Sequence, residues 1–223
     1  MDFHSSVWVA PAIKRQWDDH IADLVWESDP PLMGLIFGDL ETLRRVARAD
    51  WPAGAGLLSY RNVMVALDED RVVGVVVAMG APEFRHNEAA TLARSRGEPG
   101  LNGEPGPRIT LSALDWLCPK LPDDAYYVLE LAVMEDRRGA GIGRLLMTAA
   151  EDRARLLRCR SLHIDTTLGG PGAEFCRHLG FTVLVETTVP RLSDRYNVPP
   201  HARLAKALNG AGLMPATRTL PEH

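Results

Sequence analysis

Two hydrophobic periods alternate along the chain, and each change of period marks the edge of an element. Val7 to Ile13 reads as a first strand, and Gln16 to Glu27 places Trp17, Ile21, Leu24 and Val25 on one helical face. Asp29, Pro30 and Pro31 break and restart the chain, after which Leu32 to Asp50 predicts further helix despite Gly34 and Gly38. Val63 to Leu67 and Val72 to Met79 flank the turn Asp68 to Arg71 as a hairpin. Glu83 to Arg94 predicts a helix. Gly97 to Pro107 carries GEPG twice, cannot pack a core, and is expected to be an exposed, mobile loop. Leu111 to Cys118 predicts a short helix, and Tyr126 to Met134 (YYVLELAVM) a strand that ends on the charged cluster Glu135 to Arg138. The period then becomes helical through Ile142, Leu145, Leu146, Ala149, Ala150, Ala154 and Leu157, giving an amphipathic helix from about Gly141 to Arg158. Ser161 to Thr167 follows as a strand, Gly172 to His178 as a short helix and Phe181 to Val189 as a strand. His201 to Leu208 reads as a last strand, reached over the loop Pro190 to Pro200.

Strands alternating with helices imply an α/β fold, with a mixed sheet because the early hairpin is antiparallel. With 46% hydrophobic content the chain can bury a sizeable core, so residues 1–208 are expected to form one domain and 209–223 a loose tail. No apolar run reaches membrane-spanning length, and the start MDFHSSVWV has neither the basic nor the apolar region of a signal peptide. Cys118, Cys159 and Cys176 are odd in number and lack CxxC spacing, which argues against a disulfide scaffold and a zinc site. A cytoplasmic location is expected.

The stretch that changes this picture is Arg138 to Arg144, RGAGIGR, between a strand and an amphipathic helix. The first N–H groups of a helix lack intrahelical partners and carry the positive end of the macrodipole, so anions bind there. Glycines at 139, 141 and 143, placed on the first helical turn, would leave those amides uncovered. Residues 137–160 hold seven arginines against Glu151 and Asp152, in a chain of net charge −4. A local cation excess in an acidic protein favours a small polyanion over nucleic acid. A P-loop is disfavoured because Gly143 is followed by Arg144 and Leu145 instead of Lys and Ser or Thr. Gly139, Ala140 and Gly141 start a Rossmann fingerprint, but its third glycine is replaced by Arg144.

On these residues the chain resembles the GNAT superfamily of acyl-CoA-dependent N-acetyltransferases, whose motif Arg/Gln-x-x-Gly-x-Gly/Ala corresponds to Arg138, Gly141 and Gly143. The resemblance runs through LAVMEDRRGAGIGRLLMTAAEDRA to Leu179, Gly180 and Phe181. It implies a GNAT-like mixed central sheet flanked by helices, the acyl-CoA N-acyltransferase fold, in which the Tyr126 and Ser161 strands splay apart. It also implies acetyl-CoA as cosubstrate, with no metal. The backbone of Leu131, Ala132 and Val133 would pair with the pantetheine arm, and Arg138, Gly139, Ala140, Gly141, Ile142, Gly143 and Arg144 would hold the pyrophosphate. The N–H of Val133 or a neighbour is the implied donor to the oxyanion.

Direct acetyl transfer to an amine needs a base and a stabilised oxyanion. Glu130 is the candidate base; the other reading of it is a solvated or ion-paired strand residue. Tyr127, taken to share a strand face with Leu131, could hold a proton-carrying water, or could be a core aromatic. Cys176 stands where many members carry a tyrosine acid, and Gly169 and Gly170 where many carry asparagine, so the usual acid is missing and Cys176 is expected to be dispensable. His163 and Asp165 share a face but make no metal site without a third ligand. His178, on the short helix beside Cys176, is a candidate to reach the thiol region, and Trp26, Asp29 and Phe37 fall where the family places acceptor-side helices. The resulting expectation is an acetyl-CoA-dependent N-acetyltransferase acting on a small-molecule or peptide amine, without nucleic-acid or membrane partners and with a homodimer left open. The alternative is a non-catalytic acyl-CoA-binding or regulatory module, and transfer to a hydroxyl or of a longer acyl chain also stays open.

Overall fold

The computed structural model describes residues 7–15, 17–96 and 116–208. The expected loop 97–107, the first part of the helix expected at 111–118, and the tail 209–223 lie outside the described residues. Strands β1 (Trp8–Pro11), β2 (Val63–Asp68), β3 (Arg71–Gly80), β4 (Ala125–Val133), β5 (Ser161–Thr167), β6 (Thr182–Thr187) and β7 (His201–Ala207) form one sheet. Their order is β1-β2-β3-β4-β5-β7-β6. The sheet is mixed as expected, but the antiparallel pairs extend beyond the early hairpin: β7 inserts between β5 and β6, antiparallel to both. Among the described strands the one parallel pair is β4 with β5.

Helices α1 (Asp19–Ser28), α2 (Pro30–Phe37), α3 (Leu40–Ala53) and α4 (Ala81–Arg96) lie on one side of the sheet. Helices α5 (Ile142–Leu156) and α6 (Pro171–His178) cover the other, where Ile142, Leu146, Ala150 and Ala154 pack onto Val73, Val76, Tyr126 and Val128. Three aspartates start the first three helices, with side chains of Asp18, Asp29 and Asp39 accepting from the N–H groups of His20, Leu32 and Thr42.

The helix expected over Leu32 to Asp50 is two helices. Gly38, at φ +84°, ends α2, and Asp39 caps α3. Pro30 and Pro31 occupy the first turn of α2, where a missing N–H costs nothing. The expected loop Pro190 to Pro200 contains a short helix, α7 (Pro190–Tyr196), again opened by proline and closed by left-handed Asn197. The predicted helix from Gly141 likewise begins one residue later, so Gly139 and Gly141 precede it and only Gly143 lies in its first turn.

Strand β4 carries one residue too many for β3: Val77 pairs with Glu130 but Ala78 with Val128, leaving Leu129 as a bulge. Side chains alternate across a strand, and the bulge resets that alternation. Tyr126 and Val128 point into the α5 core, as do Leu131 and Val133, whereas Leu129 and Ala132 belong to the core under α1. Tyr127 packs edge-on against Phe84 of α4. The expectation that Tyr127 and Leu131 share a face is therefore overturned, and Glu130 is turned towards α1.

A buried knot joins α3 to α4. The Asp50 carboxylate, 0% exposed, accepts from Thr91 and Arg94 and from the N–H of Leu58, while Asn87 accepts from the N–H of Gly56. Gly56 sits at φ +130°, and a Cβ there would run into the Asp50 carboxylate. Gly56→Ala is expected to lower unfolding free energy by about 2–4 kcal/mol, combining left-handed strain with a displaced buried carboxylate. Urea titration of the variant checks this, and an unchanged midpoint would mean that the knot is not rigid.

Candidate active site

Strands β4 and β5 stay paired only from Ala125↔Ser161 to Val128↔Ile164. Beyond that point Leu129–Val133 and Asp165–Thr167 part company, which opens the gap expected between them. Met134 donates its N–H to Val73 at 3.0 Å. By the alternation of an antiparallel pair, Ala132 and Glu130 also turn their backbone groups to β3, while Leu131 and Val133 turn theirs to the gap. Of the three residues expected to offer backbone bonds, Ala132 thus faces the wrong neighbour. The Val133 carbonyl accepts from Arg138 Nε at 3.0 Å.

At the mouth of this gap the chain makes a 3-10 turn (Glu135–Arg137), passes Arg138 to Gly141 and enters α5. Arg137 anchors the turn to Asp68 on the β2–β3 hairpin. Gly139 and Gly141 both have φ +81°, and a Cβ on either would meet nothing within 4 Å. Backbone conformation therefore requires glycine at these two positions, and the space beside them is open. Gly143 differs: its Cβ would lie 3.3 Å from the Phe175 ring, so it sets how closely α5 approaches α6. No side chain caps α5. Its first amides are thus free to meet an anion, beside the exposed Arg138 and Arg144.

A cavity of about 740 Å³ runs from this gap to a wall made by α1, α2 and α4. Glu130, Tyr127 and Cys176 all line it, as do Asp29 and Phe37, whereas Trp26 does not. Glu130 is 7% exposed and contacts Ser28 at the end of α1. Among the described residues no cation pairs with it. The Ser28 hydroxyl has one proton but two acceptors in reach, Glu130 and the Val25 carbonyl at 2.6 Å. Both bonds are satisfied when Glu130 is protonated, because it can then donate to Ser28 while Ser28 donates to Val25. Burial pushes the Glu130 carboxyl up to about 8, and the charge of Asp29 adds to this against the opposing Ser28 bond.

Tyr127 hydrogen-bonds Asp165 at 2.8 Å, and Asp165 is held by both nitrogens of a fork from Arg203. These two charged side chains are 4% and 3% exposed. Burial raises the Tyr127 phenol well above its ordinary value, with the Asp165 charge acting in the same direction. Tyr127 is therefore a fixed hydroxyl on the cavity floor. A second buried pair, His201 with Asp29 at 2.9 Å, ties β7 to the α1–α2 junction. The other His201 nitrogen lies 2.8 Å from the Pro199 carbonyl, so a protonated ring can donate both bonds. Burial opposes that charge, but the two bonds and the fields of Asp29 and Asp165 outweigh it and raise the pKa.

Cys176 is 1% exposed and burial raises its thiol to about 11. His178 does not reach it: the ring is exposed and bonds back to the Glu174 carbonyl at 2.8 Å. Buried His163 bonds Ser161 at 2.9 Å. Among the described residues no group of three His, Cys, Asp or Glu side chains could hold a metal ion, and no helix is long and apolar enough to cross a membrane. Sequence reasoning missed Ser28, His201 and Arg203. Asp165, weighed in the sequence as a metal ligand and as the acid of a Rossmann-type site, was the signal available for the Arg203 pair.

The sequence profile of the acetyltransferase (GNAT) family matches residues 19–181. An acetyltransferase structure shares 18% identity at a TM-score of 0.64, covering 89% of this chain and 98% of that one. An agmatine N-acetyltransferase mutant shares 17% at 0.59, covering 91% and 100%. A Bacillus subtilis acetyltransferase in complex with CoA shares 13% at 0.55, covering 91% and 99%. At these identities the likeness is one of fold. No curated protein sequence matches the chain.

A raised carboxyl leaves a signature in stability. Glu130 binds its proton more tightly in the folded protein than in the unfolded chain, so its contribution is fully present below its ordinary value of 4.5 and is lost as pH rises through about 8. Glu130→Gln is therefore expected to raise the melting temperature relative to wild type more at pH 9 than at pH 5. Equal effects at both pH values in parallel thermal melts would place the carboxyl in water.

Proposed function

Because the chain belongs to the acetyltransferase (GNAT) family, we propose that it transfers an acetyl group from acetyl-CoA directly to the amine of a small molecule or peptide. The observation that carries the reading is a cavity that joins an unpaired strand edge to a buried carboxyl, with the uncapped end of α5 packed through Gly143 against two of its lining residues, Leu131 and Phe175. The residues present suit acetyl-CoA: open space beside Gly139 and Gly141 and the free amides of α5 can take its pyrophosphate. Leu131 and Val133 can offer main-chain bonds to its pantetheine arm, provided Arg138 releases the Val133 carbonyl. When bound, acetyl-CoA supplies an activated acyl group and a thiolate leaving group.

The chain's own part is to hold the amine, remove its proton and steady negative charge. Glu130 accepts the proton from the amine nitrogen as that nitrogen bonds to the acyl carbon. A base tuned near 8 is suited to this, since an ordinary carboxylate is too weak to compete for an amine proton near neutral pH. Ser28 follows the change, donating to Glu130 when it is ionised and to Val25 when it is not. The gap-facing N–H of Leu131 or Val133 is the donor that this reading assigns to the oxyanion. Cys176 is a poor acid: with a pKa of about 11 it holds its proton more tightly than a thiolate of ordinary pKa near 8.5 would. The amide product and CoA then leave, with no covalent enzyme intermediate.

Acetyl-CoA is expected to bind with a clear heat in calorimetry and to raise the melting temperature by mass action. Gly141→Val should abolish both, because it strains a left-handed position and crowds the amides; binding of NADH or ATP in preference to acetyl-CoA would overturn the reading.

Turnover, followed as CoA thiol release, should rise with pH through an apparent value near 8. Glu130→Gln should lower it by roughly a hundredfold or more and remove that limb while acetyl-CoA affinity stays nearly constant. Cys176→Ala should cost less than about tenfold. An unchanged pH profile in the Gln variant would return Glu130 to a structural role, and protein that binds acetyl-CoA but turns over no amine would be the non-catalytic module.

A further inference from the structure

The wall of the cavity away from the α5 loop says what kind of amine it takes. Leu32, Met33, Ile36 and Phe37 of α2, with Phe84 of α4 and Leu129 of β4, make that wall apolar. Five acids also line the cavity, and each is already committed. Asp29 is paired with His201, Asp165 with Arg203 and Asp123 with Arg85 at 2.7 Å. Glu88 has a partner as well, and Glu130 is buried against Ser28 with its carboxyl pushed to about 8. At the rim, Arg85 and Lys120 are exposed cations.

A second ammonium or a guanidinium entering this space would lose its water and find no uncommitted carboxylate in return, which is costly. It would also have to pass the exposed Lys120 at the rim, beside the Arg85–Asp123 pair whose charges offset one another. An apolar body gains from the same burial, and a cavity of about 740 Å³ lies within the range of roughly 300–1,000 Å³ that holds drug-sized ligands. Such surroundings also favour the uncharged form of the attacking amine, the form that reacts.

We propose that the acceptor is a small primary monoamine carried on an uncharged alkyl or arylalkyl body, its nitrogen at Glu130 and its body against α2 and α4. This rests on the acetyltransferase reading above and narrows its acceptor, away from polyamines, guanidino amines and cationic peptides.

The test compares butylamine, hexylamine and phenylethylamine with agmatine, spermidine and a lysine-containing tripeptide, using the full chain and saturating acetyl-CoA. kcat/KM from thiol release should rise about fourfold per methylene from butylamine to hexylamine, from about 0.8 kcal/mol per buried methylene. Hexylamine should exceed agmatine and spermidine by about tenfold or more. Ile36→Asp, which places a new carboxylate on the wall, should narrow that gap. Agmatine, spermidine or the peptide outrunning hexylamine, or no gain with chain length, would overturn the acceptor class while leaving acetyl transfer standing. If no amine is acetylated, calorimetry of the CoA-loaded protein separates the two readings. Hexylamine binding more tightly than agmatine keeps the pocket's preference and discards catalysis, and equal or absent binding discards the preference as well.

Discussion

Leu129 stands in β4 with no partner in β3, and because strand side chains alternate, that one insertion turns Glu130 out of the core shared by Tyr126 and Val128 and towards Ser28 of α1. The rest of the site depends on this turn. Without it the carboxyl would lie under α5, among Ile142, Leu146 and Ala150, where nothing could bond it. With it, the same residue sits where β4 leaves β5 and the cavity passes from the cofactor side to the α2 wall. The bulge also leaves the backbone groups of Leu131 and Val133 directed at the gap, so one irregularity places both the candidate base and the candidate oxyanion donors.

Three buried carboxylates near this point meet three different fates, and their surroundings decide which. Asp165 faces a two-pronged Arg203 and a tyrosine hydroxyl, so it is held in place as part of the cavity floor. Asp29 is bonded to His201 and also caps α2, which fixes the junction against which Ser28 is set. Glu130 has only a hydroxyl for company and a like charge in Asp29, so burial prevails and its proton is held until about pH 8. Pairing two of the acids is what leaves the third free to exchange a proton.

The α/β alternation, the early hairpin and the strand–loop–helix around Arg138 to Gly143 were legible because each is written in consecutive residues. Glycines at positive φ and an amphipathic helix beyond them need no knowledge of distant chain. The break between α2 and α3 was also written locally, in Gly38 and Asp39, but the apolar spacing ran across it and masked the cap. The bulge was not legible: YYVLELAVM alternates plausibly with or without an extra residue, and only the register against β3 decides. Ser28 meets Glu130 across 102 residues and Asp29 meets His201 across 172, so neither pair had a signal in its own neighbourhood.

That division explains why the cofactor side of such a site announces itself while the acceptor side does not. The anion site is a helix end, and its requirements are met by a few adjacent residues whose backbone must be left-handed and uncovered. The acceptor wall is assembled from α1, α2, α4 and β4, so no short stretch contains it. Its decisive property, that each of its acids is already spoken for, belongs to pairs that form only after folding. On the proposed reading, Glu130 faces an incoming amine whose own charge is unwelcome elsewhere in the cavity. The candidate base, its pKa near 8, and a wall that rejects a second charge would then select the same species, an amine able to shed its proton on arrival.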